Sequence, residues 1–345
     1  MHDNRQIKKG KNRKVRRALL LLLLAVTVVP TVGCSQNRIA QGTEAQDTEA
    51  QDTEVQDKEV PQTQLQEAQA AESEAGETEV SEAASVQQQD TGGQNQYLEG
   101  ESLPQPGRRT LANLLMTAKQ PVGHTMYVWG GGWNEADTGA GVEAVSIGVS
   151  STWETFAELQ DSTYDVKKTT YQIHNGLDCS GYLGWVIYNV FENTDGKDGY
   201  VMKAAKMAET FAGYGWGTYT PAEEVTDWKP GDIMSMKGHV WLSLGMCEDG
   251  SVVLLHASPP GVRICGTTLA DGTKSIAVTL AETYMSKYEP DWYAKYPDCA
   301  EEIDYLSKSS RMRWNVQTLT DVGDFEDKSA AEVLAYLYDQ AEDSH

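Results

Sequence analysis

One cysteine and two histidines have the residue types and the order of a nucleophile, a base and a group that orients the base. Cys179 lies in Leu-Asp-Cys-Ser-Gly, His239 follows a glycine, and His256 ends an apolar run. Cysteine-based acyl transfer needs these three roles within contact distance. Each residue also has an ordinary structural interpretation: a buried thiol, a histidine at a loop edge and a histidine in the core. Only their combination favours chemistry.

The pattern after Cys179 predicts the element that carries it. Leu183, Val186, Ile187 and Val190 recur at helical spacing, so we expect a helix whose first turn contains the cysteine. Unpaired backbone N–H groups and the positive end of the dipole at a helix N-terminus stabilise a thiolate.

The histidines fall in predicted strands. A Pro-Gly turn at 230–231 precedes two strands, at 233–236 and 239–244, and a further strand covers 251–256. We therefore predict an α+β fold, in which the helix with Cys179 packs on an antiparallel sheet that carries His239 and His256.

Five segments, in this order, resemble the NlpC/P60 family of cell-wall cysteine peptidases. They are Tyr-Val-Trp-Gly-Gly at 127–131, Asp-Cys-Ser-Gly at 178–181, Lys-Pro-Gly-Asp at 229–232, Gly-His-Val at 238–240 and Leu-His-Ala-Ser at 255–258. The resemblance implies a papain-like fold over residues 104–315, with Cys179 as nucleophile, His239 as base and His256 as the orienting residue. It implies hydrolysis of peptidoglycan stem peptides, often at the D-glutamyl bond to the diamino acid, without a cofactor or metal.

The same resemblance implies four groups that hold substrate. The Cys179 N–H and the Tyr127 hydroxyl would bind the oxyanion, and Asp178 and Ser180 would hold the amine end of the peptide. Asp178 has an alternative role as the helix cap.

The spacing departs from the family at one place. Residues 133–175 separate the glycine segment from the cysteine, and we interpret them as an insertion over or beside the cleft. His174, within the insertion, and His124, near Tyr127, are secondary candidates for the base.

Three other cysteines follow the proposed nucleophile. Cys247, Cys265 and Cys299 have no Cys-x-x-Cys spacing, so we expect no zinc site. Cys247 and Cys265, on strands expected to be neighbours, are candidates for a disulfide, and the alternative is that all three are plain buried thiols.

The start of the chain predicts a targeting signal followed by a flexible tether. Residues 1–33 have the basic start and short apolar run of a signal peptide, and Cys34 follows a small residue, as in bacterial lipoproteins. An ordinary cleaved signal or an uncleaved anchor are the alternatives. Residues 34–103, rich in Gln, Glu and Thr, are predicted to be a disordered tether. The domain would thus lie on the extracytoplasmic face, lipid-anchored or secreted.

The end of the chain predicts a helical extension. Within residues 316–345, Ser329 and Glu332 have the spacing of a capping box before an apolar face, to which we assign packing.

Charge narrows the choice of partners. The formal net charge is −23, and beyond the basic start no basic cluster remains, which argues against nucleic acid. The partners that we expect are a peptidoglycan peptide and, through a lipid anchor, a membrane. The alternatives are an N-acetylmuramoyl-L-alanine amidase of the related CHAP type and a non-catalytic, membrane-anchored wall-binding lipoprotein.

Overall fold

A computed structural model describes residues 103–339, and the description below concerns these residues. The predicted signal peptide, Cys34 and nearly all of the predicted tether lie outside them. The described part mixes helices with a sheet in which most neighbouring strands are antiparallel, so the α+β class is confirmed.

The helices and strands are numbered in chain order. The helices are α1 (Leu111–Lys119), α2 (Ser151–Glu158), α3 (Cys179–Phe191), α4 (Met207–Gly213), α5 (Ile276–Tyr288), α6 (Pro290–Lys295), α7 (Asp304–Lys308) and α8 (Ala330–Tyr338). The strands are β1 (Met126–Tyr127), β2 (Gly176–Leu177), β3 (Gly217–Thr220), β4 (Ile233–Met236), β5 (His239–Met246), β6 (Val252–Ser258), β7 (Gly261–Thr267), β8 (Ala300–Glu301) and β9 (Ser310–Trp314).

The strands form one sheet in the order β2-β1-β7-β6-β5-β4-β9-β3, and β8 pairs with β7. Strands β4 to β7 form a meander of antiparallel neighbours, so the predicted hairpin and the following strand are confirmed. The pairs β1–β2 and β7–β8 are parallel. Because β5 and β6 are neighbours, His239 and His256 lie on adjacent strands.

The two faces of the sheet contact different cores. Val240, Leu242 and Leu244 of β5 belong to a large cluster that includes α3, every residue of which is buried. The alternate residue Trp241 belongs to a smaller cluster on the opposite face. Since side chains alternate along a strand, His239 faces the same side as Trp241.

The insertion begins and ends at neighbouring strands of the sheet. Strand β1, before the insertion, pairs in parallel with β2, after it, in the register Met126 to Gly176. Within the insertion, Trp153 of α2 is fully buried and packs edge-on against Trp185 of α3, with ring centroids 5.9 Å apart. The long spacing before Cys179 therefore does not move the glycine segment away from the cysteine.

The chain's last helix begins as predicted. Ser329 accepts from the Glu332 N–H, and the Glu332 carboxylate accepts from the Ser329 N–H, so the capping box is confirmed. Val333, Leu334 and Leu337 are buried and attach α8 to the large core. Residues 340–345 lie outside the described part.

The candidate disulfide between Cys247 and Cys265 is absent. Both thiols are free, as are those of Cys179 and Cys299. Cys247 follows β5 and Cys265 lies in β7, so β6 separates them. Strands two places apart are about 10 Å from each other, beyond the reach of a disulfide.

Among residues 103–339, no helix combines the length and the apolar character that crossing a bilayer requires.

Candidate active site

Cys179 is the first residue of α3, and the preceding aspartate caps this helix. The Asp178 carboxylate accepts a hydrogen bond of 2.7 Å from the Gly181 N–H and one of 2.9 Å from the Ser180 hydroxyl. The capping role for Asp178 is therefore confirmed. Burial raises the pKa of Asp178 to about 6, although the N–H groups that it accepts from favour the ionised form.

The glycine segment lies directly on the start of α3. Gly131 accepts from the Asp178 N–H at 3.0 Å, and a Cβ on Gly181 would overlap the Gly131 carbonyl. Gly132 has a φ of +88° and would clash with Gly181 if it carried a side chain. These close approaches explain why glycines occur in both motifs, since only a residue without a Cβ fits at such contacts.

The Cys179 thiol lies against the start of β5. Its Sγ is 3.9 Å from the carbonyl oxygen of Gly238, the residue before His239. Burial, followed by the negative charge of Asp178, raises the pKa of Cys179 to about 12, while the N–H groups of Val240 and Ser180 oppose this rise. We expected the helix N-terminus to favour a thiolate; the loss of hydration outweighs this effect, and the thiol is neutral at rest.

The two histidines are in direct contact. His239 Nε2 lies 3.0 Å from His256 Nδ1, and the rings meet edge to face with centroids 5.2 Å apart. His239 is partly buried and His256 is fully buried. Burial, aided by the charge of Arg263, lowers the pKa of His239 to about 3 and that of His256 well below its ordinary value. Both imidazoles are therefore neutral at pH 7.

The residues expected to hold substrate lie around the nucleophile but are largely buried. Tyr127 is 8% exposed, and burial and then the charge of Cys179 raise the pKa of its hydroxyl. Ser180 is buried and accepts a hydrogen bond of 3.0 Å from Trp133 Nε1. The insertion thus contacts one of the two residues predicted to bind the amine end of the substrate.

A second layer of polar residues behind His256 was missed by sequence reasoning. Arg263 lies directly across from His256 on β7, and Glu301 of β8 contacts both of them, with Oε1 3.2 Å from Arg263 Nη2 and 3.5 Å from His256 Nε2. Tyr305 donates a hydrogen bond to Glu301. The one available signal was an arginine within the otherwise apolar β7; Glu301 lies in a two-residue strand without a pattern.

This layer also contains residue types that bind metals. His256 Nε2, Cys265 Sγ and a Glu301 oxygen lie within 4.8 Å of one another. These three residues do not form a motif that sequence spacing could have revealed. Arg263 Nε, however, donates to Cys265 Sγ at 3.1 Å. A guanidinium therefore already contacts two of the three ligand groups.

The secondary candidates for the base are paired elsewhere. His174 Nδ1 contacts the Glu143 carboxylate, and His124 Nε2 lies 3.3 Å from the Glu289 carboxylate. Hydrogen bonds to these glutamates raise the pKa of both imidazoles. Their environment is thus the opposite of that of His239, whose pKa is lowered.

A cavity of about 330 Å³ lies between the glycine segment and the insertion. Eight residues line it: Gly130, Trp133, Asn134, Glu135, Asp137, Tyr171, Ile173 and His174. Because Gly130 donates its N–H to Asp178, the cavity adjoins the start of α3. Its volume is within the range of small-molecule sites.

In comparisons with protein-family models, curated proteins and solved structures, the chain matches none of them.

Proposed function

We propose that the chain is a cysteine peptidase of the NlpC/P60 type, with a papain-like fold, that hydrolyses peptidoglycan stem peptides. The observation that carries the proposal is the arrangement of Cys179 at the start of a buried helix, beside the first residues of β5, with His239 bonded to His256. The residue types and their order along the chain are those that a nucleophile, a base and an orienting group require, and the contacts that support the proposal are Cys179 with Gly238, the residue before His239, and His239 with His256.

His239 is the base through Nδ1. Its Nε2 is engaged by His256, so Nδ1 is the ring nitrogen that is left for the thiol. Because the pKa of Cys179 is raised and that of His239 is lowered, the resting pair is a neutral thiol and a neutral imidazole. The proton therefore moves to His239 as sulfur attacks, rather than in an ion pair formed beforehand.

The attack gives a tetrahedral intermediate and then a thioester. The Cys179 N–H, free of an intrahelical partner at the first position of α3, and the Tyr127 hydroxyl are the proposed donors to the oxyanion. His239 passes its proton to the leaving amine as the thioester forms. It then takes a proton from the water that hydrolyses the thioester.

The cavity beside α3 is the proposed place for substrate on the amine side of the reacting bond. Glu135 and Asp137 give its rim negative charge, and Trp133 links it to Ser180. An acidic, partly aromatic cavity suits a peptide that carries a free amine. The D-glutamyl bond to the diamino acid is proposed by resemblance alone.

The proposed location is the outer face of the membrane. It rests on residues 1–34, which have the pattern of a signal peptide with a lipidated Cys34. The acidic stretch up to residue 103 would then act as a tether between membrane and domain.

The test is digestion of defined muropeptides, with mass analysis of the products. We expect the wild type to cut within the stem peptide, Cys179→Ala to abolish cleavage, and Cys247→Ala, which changes a thiol outside the site, to retain it. A product with a free lactyl-sugar end would identify the amidase instead. If neither the wild type nor the Cys247→Ala control cleaved the muropeptides, the non-catalytic wall-binding lipoprotein would be favoured.

A further inference from the structure

The far nitrogen of His256 points into a buried layer of charged residues. His256 is fully buried, and Nδ1 faces His239. Within the described residues, Nε2 makes no hydrogen bond that meets normal geometry, but it lies 3.5 Å from Glu301 Oε1. A buried ring nitrogen without a partner is costly, so the carboxylate beside it is its natural acceptor.

The hydrogen bond between two neutral imidazoles contains one hydrogen. Which of the two rings carries this hydrogen decides whether His239 Nδ1 is free to act as the base. If His239 Nδ1 is to accept the thiol proton, His239 must carry its own hydrogen on Nε2 and donate it to His256 Nδ1. His256 then carries its hydrogen on Nε2. In the reverse arrangement His256 Nδ1–H donates to His239, whose Nδ1 is protonated and cannot act as a base.

Glu301 is held where it can make this choice. Its Oε1 accepts from Arg263 Nη2 at 3.2 Å, and Tyr305 donates to the same carboxylate. Arg263 is itself fixed, because its Nη1 donates to the carbonyl oxygens of Ser258 and Pro259, each at 2.7 Å. Burial raises the pKa of Glu301, and the charge of Arg263 and the hydrogen bond from Tyr305 oppose this rise. The guanidinium therefore keeps the carboxylate in place and supports its ionised, accepting form.

A metal ion is the competing occupant of this layer. His256, Cys265 and Glu301 have the ligand types of a zinc site. Arg263 already supplies positive charge to Cys265 and Glu301, and a divalent cation would add to it in a buried place. A metal on His256 Nε2 would also put the hydrogen on Nδ1, which is the unproductive arrangement.

We propose that Glu301 is a positioning residue: it accepts from His256 Nε2–H and thereby selects the tautomer that leaves His239 Nδ1 free to act as the base. Its effect on rate rests on the proposed function, whereas its effect on the tautomer does not. In metal sites, removal of a carboxylate that orients a ligating imidazole changes metal affinity or activity by about 10- to 100-fold, and we expect an effect of the same order here.

The first measurement needs no substrate and no substitution. Nitrogen-15 NMR of the imidazoles in the wild type reports which nitrogen of His256 carries the hydrogen. We expect Nε2; a hydrogen on Nδ1 would overturn the proposal. This result is independent of whether muropeptides are cleaved, so failure of the proposed function, read from Cys179→Ala, is distinguished from failure of this inference.

The second measurement compares two substitutions of Glu301 with a matched control. Glu301→Gln keeps an acceptor oxygen and should retain both the tautomer and most of the activity. Glu301→Leu removes the acceptor and should lower kcat about 10- to 100-fold with KM little changed. Glu302→Leu, at the exposed neighbouring position, should leave kcat unchanged.

Two outcomes contradict the assignment. If the Glu301→Leu protein folds and has an unchanged kcat and an unchanged His256 tautomer, Glu301 does not position His256 and serves only as the ion-pair partner of Arg263. Stoichiometric zinc in the purified wild type, lost in both Cys265→Ser and Glu301→Gln, would assign the layer to a metal instead.

Discussion

The sheet carries two clusters of carboxylates and arginines, and they differ in the group that lies beside the carboxylate in addition to the arginine: a backbone N–H in the first and an imidazole in the second. In the first, called here the aspartate–arginine cluster, Asp232 is 1% exposed and accepts two hydrogen bonds from Arg313, at 2.8 and 2.6 Å. Asp227 accepts from Arg311 Nη1 and from Arg313 Nη1. The arginines of β9 are thus tied to the turn before β4, where the motif Lys229–Asp232 lies.

In the second, the histidine–glutamate cluster of His256, Arg263, Cys265, Glu301 and Tyr305, the pairing is incomplete. One Glu301 oxygen is shared between Arg263 and the ring of His256. In the aspartate–arginine cluster both Asp232 oxygens bind Arg313, whereas in the histidine–glutamate cluster a Glu301 oxygen also lies beside an imidazole. On the proposed function, this difference separates a structural from a functional use of the same residue types.

The largest effect should come from removing the base. His239→Ala is expected to lower the hydrolysis rate by about 10²- to 10⁴-fold, the usual contribution of a positioned base, and also to lower the melting temperature, because the buried His256 Nδ1 loses its partner. Steady-state kinetics and thermal unfolding check both statements. His124→Ala, at a histidine paired with Glu289, is the control and should keep its activity; equal losses in both variants would refute the assignment.

The next effect should be on the free energy of unfolding, in the aspartate–arginine cluster. Asp232→Ala removes the bidentate partner of Arg313, and because Arg313 is partly exposed and keeps Asp227, we expect a cost below the roughly 3–5 kcal/mol of a fully buried broken pair. Urea unfolding measures this loss, with Asp198→Ala as an exposed control expected to change stability by less than about 0.5 kcal/mol. If Asp232→Ala lowered kcat without lowering stability, the distinction between the clusters would fail.

Acid should destabilise the protein through the histidines. The folded pKa of His239 is about 3 and that of His256 is also lowered, whereas the unfolded value is about 6.5. Below pH 6.5 the unfolded chain binds protons that the folded chain does not, so the free energy of unfolding falls towards pH 3. The slope is up to about 1.4 kcal/mol per pH unit for each imidazole.

Urea unfolding at pH 7, 5.5 and 4.5 measures this slope. His239→Gln should reduce it. His124→Gln should not, because the pKa of His124 is raised and its contribution has the opposite sign. A slope that is the same in the wild type and in His239→Gln would contradict the neutral, buried imidazole.

The smallest effect should come from an exposed ion pair. Lys206 and Glu209 are 3.0 Å apart on the surface, with side chains 65% and 57% exposed. Lys206→Ala is expected to change the free energy of unfolding by less than about 0.5 kcal/mol, because water screens both charges. Chemical unfolding checks this, and a loss as large as that of Asp232→Ala would show that burial is not what separates these pairs.

Local features were predicted well. The helix that begins at Cys179, the hairpin that carries His239 and the capping box of Ser329 and Glu332 all follow from patterns within about ten residues of each other. Such patterns report interactions between near neighbours in the chain, and these form in the same way in many contexts.

Longer-range features were predicted poorly. The candidate pairing of Cys247 with Cys265 failed because their strands were expected to be neighbours, whereas the predicted strand at 251–256 lies between them in the sheet. Glu301 was missed because β8 has two residues and joins β7 from far along the chain. The pKa of the Cys179 thiol also depends on burial, which the sequence does not contain and which opposes the effect of the helix N-terminus.

By itself, the sequence determined the α+β class, the elements on which Cys179, His239 and His256 lie, and the glycines that let the start of α3 and the segment before the insertion touch. Only the tertiary structure decided three contacts. The strands on either side of residues 133–175 pair with each other, His239 Nε2 contacts His256 Nδ1, and Glu301 lies beside His256 Nε2. The physical reason is that local propensity depends on neighbouring residues, whereas these contacts depend on strand register and on burial across the whole core.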